Sequence, residues 1–92
     1  MILVTRREAP NRIAEREALG LRLQVLRTSR RLTQQEVAAE LGLNRTTIGA
    51  WEMGTSELAA LDVPRLADIY KVDVAVILGR AAMPVIKAET ET

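Results

Sequence analysis

LTQQEVAAELGLNRTTIGAWEMG, residues 32–54, holds two short helical runs separated only by Gly-Leu-Asn. Thr33-Gln34-Gln35-Glu36 is a capping box: the Thr33 hydroxyl takes the amide of Glu36 while the Glu36 carboxylate reaches back to the amide of Thr33. The spacing predicts a helix over residues 34–41 that buries Val37, Ala38 and Leu41. Gly42 stands where a helix end needs a left-handed residue, Leu43 is placed to plug the core, and Asn44 to cap a second helix. That second helix spans residues 45–52. Ile48 and Trp51, three apart, mark its inner side, and Gly54 closes it. Its outer side carries Arg45, Thr46, Gly49 and Ala50. A helix facing only water would carry Lys and Glu there, so this face is built to lie against something else.

Upstream, residues 12–29 form a helix with two apolar stripes. Leu19, Leu23 and Leu26 make one; Ala14, Ala18, Leu21 and Val25 make the other, more than a third of a turn away at about 100° per residue. The core needs one stripe, and the second predicts a tail or a partner subunit against it. Residues 1–11 read as an extension: residues 2–5 are β-branched and strand-like, Pro10 stops a helix, and Asn11 caps the one beginning at residue 12. Downstream, residues 55–61 are a loop. Asp62 opens a helix over residues 62–70 with Pro64 in its first turn, burying Leu66, Ile69 and Tyr70. Asp73 caps a short helix over residues 74–78, stopped by Gly79. Residues 80–92 form a tail in which residues 85–89 alternate like a strand, and residues 2–5 are placed to pair with them.

Composition narrows the chemistry. The 92 residues suit one domain with one modest core, and with 48% hydrophobic but only 2% aromatic residues that core is aliphatic, as in packed helices. There is neither Cys nor His, which removes thiolate and imidazole chemistry, the usual metal ligands and the usual general base at neutral pH. No enzyme, metal or cofactor is therefore expected. No apolar run reaches the ~20 residues of a membrane span, and the opening apolar residues lack a signal peptide's basic lead, so a cytoplasmic protein is expected. The net charge of +1 hides a basic first half and an acidic second half, which points toward a polyanion-facing side.

Two helices joined through Gly-Leu-Asn match a helix-turn-helix. The run Leu19-Gly20, Leu23, Leu26-Arg27, Leu32 to Ala38, Leu41-Gly42, Ile48, Trp51-Glu52, Gly54, Leu66-Ala67, Val72-Asp73 and Ile77-Leu78-Gly79 resembles the phage-repressor family, Cro/CI-type, often called XRE. The resemblance implies an all-α, five-helix, lambda-repressor-like domain over residues 12–79, flanked by the two extensions. It also implies double-stranded DNA as the partner, with the helix over residues 45–52 in the major groove. Base contacts then fall on Arg45, whose guanidinium can fork onto guanine, on Thr46, and on Ala50, which can meet a thymine methyl, with Gly49 keeping the profile low. Asn44 and Thr47 flank toward phosphate, as does Thr55 beyond the helix end, and Gln34 resembles the family's phosphate anchor. Arg27 and Glu52 correspond to a family ion pair, with Arg27 also a candidate for the DNA backbone.

Each assignment has a plainer rival. Trp51 is a core residue rather than a stacking platform, because it shares Ile48's side. Arg45 and Thr46 read equally as solvated surface when taken alone, as do Arg30 and Arg31. Arg6 and Arg7 suit a minor-groove arm, although the apolar residues beside them call for burial. The expected function is a transcriptional repressor seated as a homodimer on a palindromic operator. Its alternatives are an antitoxin-type regulator with a protein partner, such as a toxin, and an interaction module that has lost DNA binding.

Overall fold

The computed structural model describes the backbone of residues 3–84 and the side chains of residues 11–84. Five helices run in order: α1 Leu3–Ser29, α2 Gln34–Leu41, α3 Arg45–Met53, α4 Asp62–Tyr70 and α5 Val74–Ile77. There is no strand among the described residues. The residues that local chemistry marks as boundaries hold at most ends. Thr33 and Glu36 close the capping box in both directions, and Gly42 caps α2 at φ 71°. Gly54 ends α3 at φ 75°, and Asp73 accepts from the amide of Ala75 at the start of α5.

The start of α1 departs from expectation. The helix begins nine residues earlier than residue 12 and runs through Pro10, so Asn11 is an interior residue rather than a cap. Proline there removes one backbone bond, to the carbonyl four residues back, and crowds the preceding turn. Arg6, Arg7, Glu8 and Ala9 are good helix formers extending a helix already nucleated downstream, and propagation costs far less than nucleation. Leu3, Val4 and Thr5 are thus helical and not strand, which removes the proposed pairing of residues 2–5 with the C-terminal tail. It also removes the extended arm on which Arg6 and Arg7 would have reached a minor groove. Residues 85–89 lie outside the described residues.

The core gathers one side of every helix: Leu23 and Leu26 of α1, Val37 and Leu41 of α2, Ile48 and Trp51 of α3, Leu66 and Tyr70 of α4, and Ile77 of α5. Ile69, expected inside, is only partly buried, whereas Val63 and Ala67 complete the inner side of α4. Burial raises the Tyr70 phenol above its ordinary pKa, with the nearby Glu52 carboxylate adding to the effect. Leu43 does not plug the core. At 36% exposure it leads out of the turn behind Gly42, because the bond from its amide to the Ala38 carbonyl (2.9 Å) folds the chain back over the end of α2. The second stripe of α1 is uncovered, with Leu21 61% and Val25 46% exposed.

α1 and α3 pack against each other most closely at Gly20 and Gly54. A Cβ on Gly20 would stand 2.3 Å from the Glu52 carbonyl oxygen, and one on Gly54 2.8 Å from the Cα of Glu17. No side chain fits at either crossing, so α3 is seated on α1 backbone to backbone.

Several of the described arginines donate to carbonyls at helix ends, where the macrodipole is negative and acceptors are orphaned. Arg16 Nε donates to the Gly54 carbonyl at the end of α3 (3.0 Å), Arg22 Nε to Ile77 at the end of α5 (2.9 Å), and Arg30 Nε to Tyr70 at the end of α4 (2.8 Å). Arg65 does the same for Leu41 at the end of α2 (3.3 Å). Arg30 stays exposed in the turn after α1 while its guanidinium is tied to the end of α4. Arg12 forks onto Glu57, and that hydrogen bond holds the Glu57 carboxyl below the usual carboxylate range.

Candidate nucleic-acid interface

α2 and α3, tied by the three residues between them, leave the outer side of α3 open. Arg45 and Thr46 are exposed, while Thr47, Gly49 and Ala50 are partly so. Ile48, Trp51 and Glu52 are the buried residues of this helix. Asn44 occupies the N-cap position with an extended backbone, but its side chain makes no capping bond. It is exposed. The amide expected to be spent on the helix thus remains on the surface beside Arg45. Thr55 is exposed at the other end, where its amide (3.0 Å) and its hydroxyl (3.3 Å) both donate to the Ala50 carbonyl.

A chain of polar contacts lies behind this surface. Arg45 Nη1 donates to Gln34 Oε1 (3.3 Å), and Gln34 Nε2 donates to Glu52 Oε1 (3.0 Å). Glu52 receives Arg27 in a fork, Nε on Oε2 at 2.6 Å and Nη2 on Oε1 at 3.0 Å, and Arg27 Nη1 continues to the Leu32 carbonyl (2.8 Å). The bond to Glu52 raises the Arg27 pKa against the opposing effect of burial, so the guanidinium is charged throughout the ordinary range. Buried charges bonded on both sides are rigid, and a fork of two parallel N–H···O bonds fixes orientation as well as distance.

These contacts show how two of the expected site residues are held. Arg27 has a side chain only 12% exposed and is bonded to Glu52 and Leu32, so it braces α3 from behind. Gln34 is placed at the first turn of α2 as expected, but its amide turns inward: the oxygen takes Arg45, the nitrogen holds Glu52, and one N–H remains for an outside acceptor. Gly49 makes this crossing feasible. Its Cβ position lies 3.6 Å from Gln34 Oε1, so Gln34 passes over α3 where any longer side chain would block it.

A methyl group fits at that distance, which gives a first prediction. Gly49→Ala raises stability by about 0.5 to 1 kcal/mol, the usual cost of Gly within a helix, as read from a chemical denaturation midpoint. A loss of stability would mean that Gln34 presses on α3 more tightly than this spacing allows.

Met53 escaped the sequence reading, which ended the helix at Glu52. It is 73% exposed, and its position seven after Thr46 and four after Gly49 puts it on the same outer side. A helix one residue longer would have revealed it. The Gln34–Glu52 link had no local signal, being eighteen residues apart in the chain.

The pair α2–α3, its glycine-capped turn and the open side of the second helix now stand beside a comparison with known families. A model described as helix-turn-helix domain matches residues 18–77, well over half of the chain. The chain belongs to the helix-turn-helix domain family. The matched span takes in the inner side of α1 as well as α2 to α5, so the helix-turn-helix match covers the supporting core along with the two motif helices. No curated protein and no solved structure matches the chain. Among the described residues, no helix of this helix-turn-helix domain is long and apolar enough to cross a membrane.

Proposed function

We propose that this protein is a sequence-specific regulator of transcription that binds double-stranded DNA as a homodimer, laying α3 into the major groove of each half of a palindromic operator and repressing by excluding polymerase. The observation that carries the reading is the low, open side of α3 with one guanidinium held at its start. Arg45 is exposed yet tied to Gln34, so it is aimed before any ligand arrives. Pre-aiming favours bidentate reading of guanine O6 and N7, because less side-chain freedom is lost on contact. Thr46, Ala50 and Met53 offer a hydroxyl and two apolar groups for neighbouring base edges, while Asn44, Thr47, Thr55 and the remaining N–H of Gln34 border the phosphates.

Among the described residues, Arg16, Arg22, Arg30 and Arg65 each give a nitrogen to a helix end, which leaves less of their charge-bearing surface for phosphate. The expected salt dependence of binding is accordingly shallow for a DNA-binding domain, with each phosphate contact adding about 0.9 to the slope of log affinity against log salt. A single such domain covers roughly 600 to 1,000 Å² of DNA, which supports two subunits on a two-fold site with half-sites about 34 Å apart. The absence of His and Cys from the sequence supports a binding role over catalysis.

Selection of bound sites from random duplexes, followed by Arg45→Ala, tests the reading. The expected result is lost preference at one base pair per half-site at a cost of about 1 to 3 kcal/mol. Equal weakening on every sequence would recast Arg45 as a phosphate contact, and no duplex bound at low salt would end the proposal. The uncovered side of α1 favours a second reading, a regulator of antitoxin type or an interaction module whose main partner is a protein. Strong, salt-insensitive binding to a protein partner with no duplex binding would favour the interaction module.

A further inference from the structure

We infer that α1 is a dimerisation helix whose outer stripe pairs head to tail with the same stripe of a second copy. Ala14, Ala18, Leu21 and Val25 recur at intervals of four, three and four, the seam spacing of paired helices. They lie roughly 140° around the helix from Leu19, Leu23 and Leu26 at about 100° per residue, on the side turned from the core. Leu21 and Val25 are 61% and 46% exposed. An open groove beside the stripe, lined by Glu15, Ala18, Arg22, Leu78 and Arg80, leads to the end of α5, where Leu78 is 50% exposed.

Size and charge select the occupant and the direction. The stripe carries its small residues toward the start of α1 and its large ones toward the end. In an antiparallel pair that sets Ala18 against Leu21 of the second copy, Ala14 meets Val25 of the second copy, and symmetry repeats both contacts. Every layer then matches a small side chain with a large one, the arrangement that fills space without strain. The same register places Glu15 beside Arg22 of the second copy, twice. Glu15 has no ion-pair partner among the described residues, and Arg22 uses only Nε within the fold, leaving its terminal nitrogens without a protein bond among those residues. A parallel pair would stack Ala on Ala at one end and Leu21 and Val25 on their own copies at the other, and would bring no cation of the second copy beside Glu15.

The inference rests on the two-subunit reading above. Its test is run without DNA, so that failure to pair and failure to bind a duplex are read separately. Sedimentation of the full chain is expected to show a reversible dimer at micromolar concentration. Leu21→Glu keeps the helical circular dichroism, because the site is exposed, and weakens the dimer by roughly tenfold or more. Glu15→Arg and Arg22→Glu each weaken it, and the double variant restores it. Because the chain has no cysteine, Ala14→Cys and Val25→Cys report direction: mixed chains cross-link to each other, and neither variant cross-links to itself. A monomer at every concentration, a dimer indifferent to Leu21→Glu, or self-cross-linking of the single variants would each overturn the inference.

Discussion

Glu52→Ala lowers stability by about 3 kcal/mol, because it leaves a largely buried guanidinium without its counter-charge. The side chains of Arg27 and Glu52 are 12% and 4% exposed, so water screens the pair only weakly. A small domain has only about 5 to 15 kcal/mol in total, and the variant is expected to be partly unfolded well below the parent's melting temperature. Removing both partners is expected to behave differently. Arg27→Met with Glu52→Leu discards both desolvation costs together and recovers most or all of the stability, as buried pairs replaced by apolar side chains often do. That double variant still lacks the acceptor that holds Gln34. Duplex binding should therefore fall even where the fold is restored, through loss of the tether on Arg45. Equilibrium denaturation of the three proteins, with duplex titration of the double variant, checks both halves. A single substitution costing under about 1 kcal/mol would show that Arg27 has other means of neutralisation.

Gly20→Ala is expected to cost about 3 kcal/mol, the upper end for overpacking, because the added methyl would meet backbone rather than a side chain able to turn aside. Its Cβ would stand 2.3 Å from the Glu52 carbonyl oxygen and 2.6 Å from that of Trp51. The helix propensity of Ala returns up to about 1 kcal/mol, which leaves a clear net loss. For a domain of this size the loss corresponds to a fall of about 10 to 20 °C in Tm. Gly49→Ala, the same exchange in the same kind of structure, is expected to shift stability the other way, so the pair separates close approach from propensity. A Tm for Gly20→Ala equal to the parent's would mean that α1 and α3 slide apart freely.

Residues 32–54 were the most legible part of the chain because their signals are local. A capping box spans four residues, a left-handed glycine acts on its own turn, and the Ile48–Trp51 spacing marks one side of one helix. The same locality misled at Pro10, where a residue that disfavours helix is outweighed by the helix on either side of it. It misled at Leu43 too, whose type suits a plug but whose side chain lies outside the core, and Asn44 holds the N-cap position without the side-chain bond its type suggests. The outer side of α3 was readable as a set, although Met53 fell beyond the expected end.

The arginines were the least legible. Charge counted along the sequence suggested a basic side, yet Arg16, Arg22 and Arg30 reach carbonyls 38, 55 and 40 residues away. By itself the sequence determined the helices from Thr33 onward, their inner sides and the open character of α3, since periodicity and caps act within a few residues. Only the tertiary structure decided which cations stay available to a ligand, that Gln34 turns inward across Gly49 to Glu52, and that Gly20 is where α3 sits. These depend on distances between segments far apart in the chain, and such distances exist only once the helices have packed.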